Sequence, residues 1–364
     1  MTEVSPAQLV PYVTGGAFLL AFIFGAVANK TDFCTMGAVS DWVNMGDFNR
    51  MRMWLLAIAV AVLGSALLQL AGAVDLSKSI YPGPNFTWLS YIVGGLVFGV
   101  GMTLGSGCGS KTLIRIGGGN LKSVIVYVFL GIAAYMTLRG ILGAFRVGVL
   151  EKASLTLGSG QDLPTLLGLP RGALALAVGA ALLGFVYASR DFRSRLDYTL
   201  GGVVTGLVVV GGWYVSGHVG HVAEDPSTLQ EAFVATNSGR MESFSFVSPL
   251  AYTLEYLMFW TDKSKIITYG IASAAGVIAG SAAYALATRK FRWEGFRDAE
   301  DTAMHILGGV LMGFGGVTAL GCTIGQGITG FSTLALGSII TFACIVAGSA
   351  LTMKWQYWRI SNEG

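Results

Sequence analysis

Residues 94–108 read GGLVFGVGMTLGSGC, and residues 308–322 read GGVLMGFGGVTALGC. The two stretches align without a gap. Gly94, Gly95, Gly99, Gly101, Gly107 and Cys108 meet Gly308, Gly309, Gly313, Gly315, Gly321 and Cys322. Two apolar runs with the same glycine spacing, each ending on a cysteine, mark an internal repeat interrupted at the same place in both copies. Weaker echoes lie upstream: Gly64-Ser65-Ala66 against Gly280-Ser281-Ala282, and Gly15-Gly16 against Gly201-Gly202.

The composition around these stretches fixes the class. Of 364 residues only 12% are charged, about half the ~25% of ordinary soluble domains. The hydrophobic share is 53% and the mean hydropathy +0.65. Gly occurs 52 times and Pro 8 times, about twice the usual Gly share of ~7%. These values exclude a soluble globular enzyme and a disordered chain. The glycines lack the three-residue period of collagen. The apolar runs are long and continuous, unlike the short alternating strands of an outer-membrane barrel. An all-α polytopic membrane protein with close helix packing is predicted.

Nine stretches are long and apolar enough to be read as spans: 10–28, 53–74, 88–106, 121–145, 171–188, 198–216, 266–287, 304–320 and 330–353. The third and eighth end in glycine-rich stretches, 105–109 and 313–327, which read as short re-entrant or broken helices. With nine spans the termini lie on opposite sides. Placing the N-terminus outside leaves 15 of the 23 Lys and Arg residues, Arg50 and Lys122 among them, in inner segments. The positive-inside rule selects that orientation, with the C-terminus in the cytoplasm. Residues 1–8 carry no Lys or Arg, so the first run is read as a retained span and not a signal peptide.

The repeat then divides the chain into an N-terminal half, 1–150, a connecting fifth span within 151–197, and a C-terminal half, 198–364. Equivalent spans are five apart, so the halves cross the membrane in opposite directions. Inverted halves with matched helix breaks are a transporter architecture, in which the breaks meet near the midplane and aim backbone N–H groups at an anion. A duplicated bundle with no transport role is the alternative.

Three of the four cysteines sit at span ends or breaks. Cys34 lies in Phe33-Cys34-Thr35-Met36-Gly37-Ala38, Cys108 between Gly107 and Gly109-Ser110-Lys111, and Cys322 in Gly321-Cys322-Thr323-Ile324-Gly325-Gln326. Cys344 lies in a plain apolar stretch and reads as packing. There are no CxxC pairs, hence neither a zinc ribbon nor a disulfide framework. A thiol in an apolar constriction stays neutral, and a neutral S–H is a weak donor and a soft partner for sulfur. Weak contacts in series let a substrate leave again, as conduction requires. Cys34, Cys108 and Cys322 are therefore the predicted path of a sulfur-bearing anion, with Gly107, Gly109, Ser110, Lys111, Arg115, Gly321, Thr323 and Gln326 in support.

Lys111, Arg115 and Lys122 stand where they would draw an anion to an inner mouth, although positive-inside topology accounts for them equally. Residues 105–112, GSGCGSKT, nearly satisfy the P-loop pattern, but Ser110 replaces the second Gly and no βαβ strand precedes them. Nucleotide binding is rejected, and no cofactor, metal or nucleic acid is called for. His218 and His221, with Glu224 and Asp225 nearby, form an H-x-x-H that reads as an outer loop capping a helix more readily than as a metal site. The long loop 217–265 is rich in aromatics, read as interfacial helices over an outer vestibule. Trp355, Tyr357 and Trp358 form an inner aromatic belt. Arg139 either faces a cavity or snorkels outward.

The three cysteine motifs in this order, with Gly119-Asn120-Leu121-Lys122-Ser123 after the second, resemble the YeeE/YedE family of bacterial sulfur-transport membrane proteins. The resemblance spans nearly the whole chain and is weakest in 150–170 and 222–265. It implies two inverted halves pinched like an hourglass, and uptake of thiosulfate handed along cysteines by S–H contacts. By motif those cysteines are Cys34, Cys108 and Cys322. The family also includes proteins linked to sulfur relay and to selenium metabolism. Two rivals follow: a membrane component that hands sulfur as a persulfide on Cys to a cytoplasmic sulfur carrier, and a structural or partner-binding subunit. No His stands beside Cys108 or Cys322 in the sequence to act as a base.

Overall fold

Within a bilayer each backbone N–H and C=O must be paired inside its own segment, so long apolar runs fold as helices. The computed structural model describes residues 6–226 and 228–363. The described helices are α1 (Pro6–Lys30), α2 (Thr35–Ser40), α3 (Asn49–Leu70), α4 (Trp88–Leu104), α5 (Gly109–Gly117), α6 (Leu121–Arg139), α7 (Ile141–Phe145), α8 (Leu163–Leu167), α9 (Arg171–Tyr187), α10 (Arg190–Ser194), α11 (Leu196–Tyr214), α12 (Ser248–Met258), α13 (Tyr269–Ala287), α14 (Ala299–Thr318) and α15 (Leu336–Glu363). Strand structure is confined to two short antiparallel ladders, β1 (Asn85–Phe86) with β2 (Leu155–Thr156) and β3 (His221–Val222) with β4 (Ala232–Phe233). The charge-free start of the chain, residues 1–5, lies outside the described residues.

Among the described residues, seven segments are long and apolar enough to cross a membrane: Pro6–Met45, Asn49–Leu70, Trp88–Gly117, Leu121–Arg139, Leu196–Val219, Tyr269–Ala287 and Leu336–Arg359. The chain is an all-α polytopic membrane protein. The other two predicted stretches also fall on helices. α9 has 17 residues, and α14 begins with the polar turn Asp298, Glu300 and Asp301.

The glycines of the repeat are contact surfaces. α4 and α14 cross antiparallel with almost no side chain between them. A Cβ on Gly94 would lie 2.8 Å from the Gly315 carbonyl oxygen, and one on Gly101 would lie 2.8 Å from that of Gly308. From the other side, a Cβ on Gly308 would lie 2.7 Å from the Gly101 oxygen and one on Gly315 would lie 2.7 Å from that of Gly94. Residue 94 aligns with 308 and 101 with 315, so each helix offers the other the same patch. The flanking glycines behave alike. Gly95 and Gly99 admit α15, with Thr341 O at 2.9 Å and Ile345 O at 2.3 Å. Gly309 and Gly313 admit α6, with Val126 O at 3.0 Å and Leu130 O at 2.4 Å.

The same exchange runs through the rest of the bundle. α1 packs along α13 as α11 packs along α3, and α1 meets α11 antiparallel, with Gly16 against Val215 and Gly211 against Leu20. α12 rests on α6 and α13 as α2 rests on α15 and α3. Each atom pair in such contacts contributes only ~0.1–0.2 kcal/mol. Between helices in lipid, where no hydrophobic drive operates, close packing of small residues is nonetheless the main attraction. α9 packs on α3. The stretch around α8 and α9 is tied to the chain before α15 by Arg171 Nη1 donating to Thr333 O at 3.2 Å and by Leu163 N–H donating to Leu334 O at 2.9 Å.

Two boundaries differ from the sequence reading. The break expected over 313–327 is confined to 319–322, because α14 stays helical to Thr318. Gly313, Gly315 and Gly316 are there for neighbours, not for a turn: a Cβ on Gly316 would lie 2.7 Å from the Val247 side chain. The aromatic loop also dips inward instead of lying at the interface. It carries one helix longer than a turn, α12, and its Phe244 and Phe246 are buried in the bundle, whereas Phe259 and Trp260 stay exposed.

Candidate functional site

Three helices stop in the same way. α1 is followed by Asp32 at φ 50°, α4 by Ser106 at φ 57° and α14 by Leu320 at φ 59°. The left-handed residue turns the chain, and the next N–H reaches back five residues: Phe33 to Ala28 O at 3.1 Å, Gly107 to Met102 O at 2.9 Å and Gly321 to Gly316 O at 2.7 Å. This is the Schellman closure. The residue after that is the cysteine. Cys34 caps the N-terminus of α2, Cys108 caps α5, and Cys322 opens a helical stretch over 323–332 that contains the π-helical turn Gly325–Gly330.

Each thiol is thus seated at a helix start, where unpaired N–H groups and the positive dipole end collect. Cys34 Sγ accepts from Gly37 N at 3.4 Å. Cys322 Sγ accepts from Gly325 N at 3.4 Å and, across the fold, from Phe246 N at 3.3 Å, with Ser245 Oγ at 4.0 Å. Cys108 Sγ lies 3.2 Å from Ser110 Oγ. The three are 4%, 1% and 0% exposed, in that order along the chain.

Cys108 is the middle member. Its helix is tied to the first seat by the ion pair of Lys111 with Asp32, in the turn before Cys34, at 3.0 Å. Phe246 joins the second and third seats: its N–H meets Cys322, while its carbonyl oxygen lies where a Cβ on Gly109 would be, at 2.3 Å. Only glycine fits at 109 against that oxygen. Rings line the neck, with Phe246 stacked on Phe24 at 6.0 Å and Phe33 stacked on Trp54 at 4.7 Å. Thr35 and Thr323, each following a path cysteine, bury hydroxyls that have no partner among the described residues. Gln326 donates from Nε2 to Ala319 O, and its Oε1 is likewise buried without a partner there.

Two cavities approach this row from opposite ends of α13 and α14. The larger, about 990 Å³, reaches Cys34 and is lined by Arg50, Lys111, Arg115, Lys122 and Arg292 among others, with Met304 and His305 from the start of α14. The smaller, about 230 Å³, is lined by Ser243, Ser245, Glu242 and Tyr252, with Val317 and Leu320 from the end of α14. Ser245 joins it to Cys322. Burial pushes the Glu242 carboxyl above the ordinary carboxylate range, against the hydrogen bond it accepts from Ser238 N.

The residues predicted around the thiols separate on inspection. Ser110 touches Cys108, and Gly107 and Gly321 form the turns that precede their cysteines. Lys111 lines the larger cavity but is paired with Asp32 at 3.0 Å, and Lys122 is paired with Asp301 at 2.8 Å. Arg115 reaches back towards the Gly107 turn and has no ion pair among the described residues. Cys344 packs its Cβ against Gly95, away from the row. His221 pairs with Glu231 at 2.6 Å and His218 meets Ala73 O at 3.1 Å. Among the described residues no group of three His, Cys, Asp or Glu is placed to hold a metal. Arg139 lines a small cavity with Tyr252, Glu255 and Lys265.

Sequence reasoning missed two contributors. Ser245 and Phe246 come from the aromatic loop, 77 and 76 residues before Cys322, and nothing local to them signals it. Arg50 and Asp41 form an ion pair beside Cys34, whereas Arg50 read only as an inner-side charge.

The chain is thus a helical membrane protein with a cavity at each end of α13 and α14 and buried thiols between them. The chain belongs to the sulphur transport family, whose model matches residues 30–351. It is 25% identical over 352 residues to the thiosulfate transporter TsuA of Spirochaeta thermophila, covering 94% of this chain and 98% of that protein. It is 28% identical over 326 residues to the thiosulfate transporter TsuA of Escherichia coli strain K12, covering 84% of each.

Proposed function

We propose that this protein imports thiosulfate, or a closely related sulfur-containing anion, across the bacterial inner membrane, passing it along Cys322, Cys108 and Cys34. The observation that supports this reading is the set of three matched cysteine turns, the second linked to the first by the Lys111–Asp32 pair and to Cys322 through Phe246, with one cavity reaching Cys34 and another reaching Ser245 beside Cys322. The names of the two relatives supply the substrate class.

The mechanism follows from the seats. The anion enters by the serine-lined cavity, which the positive-inside orientation places outside. At Cys322 a terminal sulfur meets a neutral S–H, a soft and weak contact. Oxygens of the anion meet the N–H groups and dipole ends of α5 and of the helix over 323–332. The hydroxyls of Thr323 and Ser110 are within the same neck. The ion moves to Cys108, then to Cys34, and leaves through the larger cavity towards Arg115 and Lys111. Each contact is weak, so no step traps the ion. Hydrogen-bond partners of the thiols among the described residues are backbone N–H groups and serine hydroxyls. None is a general base, which favours non-covalent passage over a persulfide step.

The reading includes inverted halves, 1–150 and 198–364, about a connecting span in 151–197, nine spans in all, and a cytoplasmic C-terminus. The reciprocal glycine patches support it. An antiparallel crossing in which each helix presents the same patch is what a two-fold axis in the membrane plane would produce. A cytoplasmic sulfur carrier would receive the ion at the inner mouth. The test is growth on thiosulfate as sole sulfur source of cells that lack their own sulfate and thiosulfate uptake. Expression of this chain should restore growth, and a well-expressed protein that restores none overturns the proposal.

A further inference from the structure

Arg50 stands one residue into α3 and is paired with Asp41, whose side chain is only 8% exposed. The carboxylate takes one edge of the guanidinium, accepting from Nε and, at 3.0 Å, from Nη2. A planar fork gripped on one edge presents its remaining N–H groups in a fixed direction. Here that group is Nη1, which has no acceptor among the described residues. It lies over Gly37, where a Cβ would come within 2.3 Å of it. Gly37 N is the donor to Cys34 Sγ, so the free end of the guanidinium and the inner thiol flank one glycine. Arg50 and Cys34 both line the larger cavity with Gly37 and Ser40.

We propose that Arg50, aimed by Asp41, receives the oxyanion end of the substrate while Cys34 meets its sulfur end. This deepens the thiosulfate reading and rests on it. The two groups make a two-point test. Sulfate offers oxygens without a terminal sulfur, and hydrosulfide offers sulfur without oxygens, so each satisfies one point only. Asp41 does more than aim the fork. It offsets most of the guanidinium charge, so the anion is held by directed N–H groups and not by a full positive charge, and it can leave.

The experiment is uptake of radiolabelled thiosulfate by full-length protein in liposomes, with R50Q, R50K and D41N alongside wild type. R50Q should lower kcat/KM by about tenfold or more, chiefly through KM, the loss expected for one charge-assisted hydrogen bond. R50K keeps the charge without the fork and should stay near R50Q. D41N keeps the guanidinium but not its aim and should fall between. A second readout separates positioning from folding: the rate at which maleimide labels Cys34 in detergent, with and without thiosulfate. Thiosulfate should protect Cys34 in wild type, and the concentration giving half-protection should rise in each variant while the unprotected rate stays the same. If R50Q does not yield monodisperse protein, R50K and D41N are read by the same curve. Wild-type KM and wild-type protection in the variants overturn the assignment of Arg50 while leaving the thiosulfate reading intact. Absence of thiosulfate uptake by wild type overturns the thiosulfate reading itself.

Discussion

The turns at Cys108 and Cys322 are copies in backbone and opposites in surroundings. Both follow a helix rich in contact glycines, both use a left-handed residue two before the cysteine, and both close with a bond to a carbonyl five residues back. Beyond the sulfur they part. Cys108 touches a serine of its own helix, and that helix carries Lys111 and Arg115 into the large charged cavity. Cys322 takes an N–H from the distant loop at Phe246, and the stretch after it, Thr323 to Gln326, is uncharged. The difference shows how a duplicated backbone can hold one chemical group at two depths while side chains set what each end attracts. The charged turn suits release into a cytoplasm-facing mouth. The uncharged turn suits capture in a small cavity where a fixed cation would hold a dianion too long.

The comparison can be broken most sharply at the thiols. Cys322→Ala and Cys108→Ala should each reduce growth on thiosulfate to the level of cells without the protein, while Cys344→Ala, whose Cβ packs against Gly95, leaves it unchanged. Two path variants that grow like wild type would remove the thiol row from the mechanism. A smaller effect tests the glycine patches. Gly101→Ala and Gly315→Ala each force a Cβ into backbone, and overpacking of this kind costs about 1–3 kcal/mol. Both should lower the melting temperature of the purified protein, and by similar amounts, because they are the same position in the two patches. Gly184→Ala in α9 meets open space and should cost nothing. Unequal losses at 101 and 315 would deny that the patches are equivalent.

The smallest expected effect concerns pH at the uncharged end. Glu242 faces the smaller cavity with its carboxyl held above the usual range by burial. Above its raised pKa the carboxylate is charged and repels an approaching anion; below it the group is neutral. Uptake should therefore rise by a few-fold as the outside is acidified through the window around that raised pKa. Arg146, the cation lining that cavity, is already paired with Glu151, and ordinary tyrosines titrate well above this window. Glu242→Gln should flatten the profile at its upper level. A variant with the wild-type slope would assign the pH dependence elsewhere.

Much of this was legible in the sequence, for definite reasons. Apolar length marks helices in lipid, and each predicted stretch falls on one. The cysteines stood out because they ended matched runs. The end of α14 did not read correctly, because glycine serves both turns and close approach, and at Gly313, Gly315 and Gly316 it serves approach. The turning residues themselves are Asp32, Ser106 and Leu320, none of which signals a left-handed conformation strongly. Lys111 was visible as a charge, but its partner Asp32 lies 79 residues away. Arg50 was hidden for a similar reason: its meaning comes from a fork held by Asp41 over Gly37, and such alignment exists only after α2 and α3 are brought together.

The cysteine seats are made by the main chain alone: a left-handed turn, a five-back closure and a helix start. Nothing in that scaffold depends on what the side chain ends in. The protein is thus a rack with interchangeable fittings. A selenol, a heavier and softer atom on the same stem, should slot into 108 or 322 without disturbing the frame, making these positions places where selectivity between the chalcogens can be tuned one atom at a time.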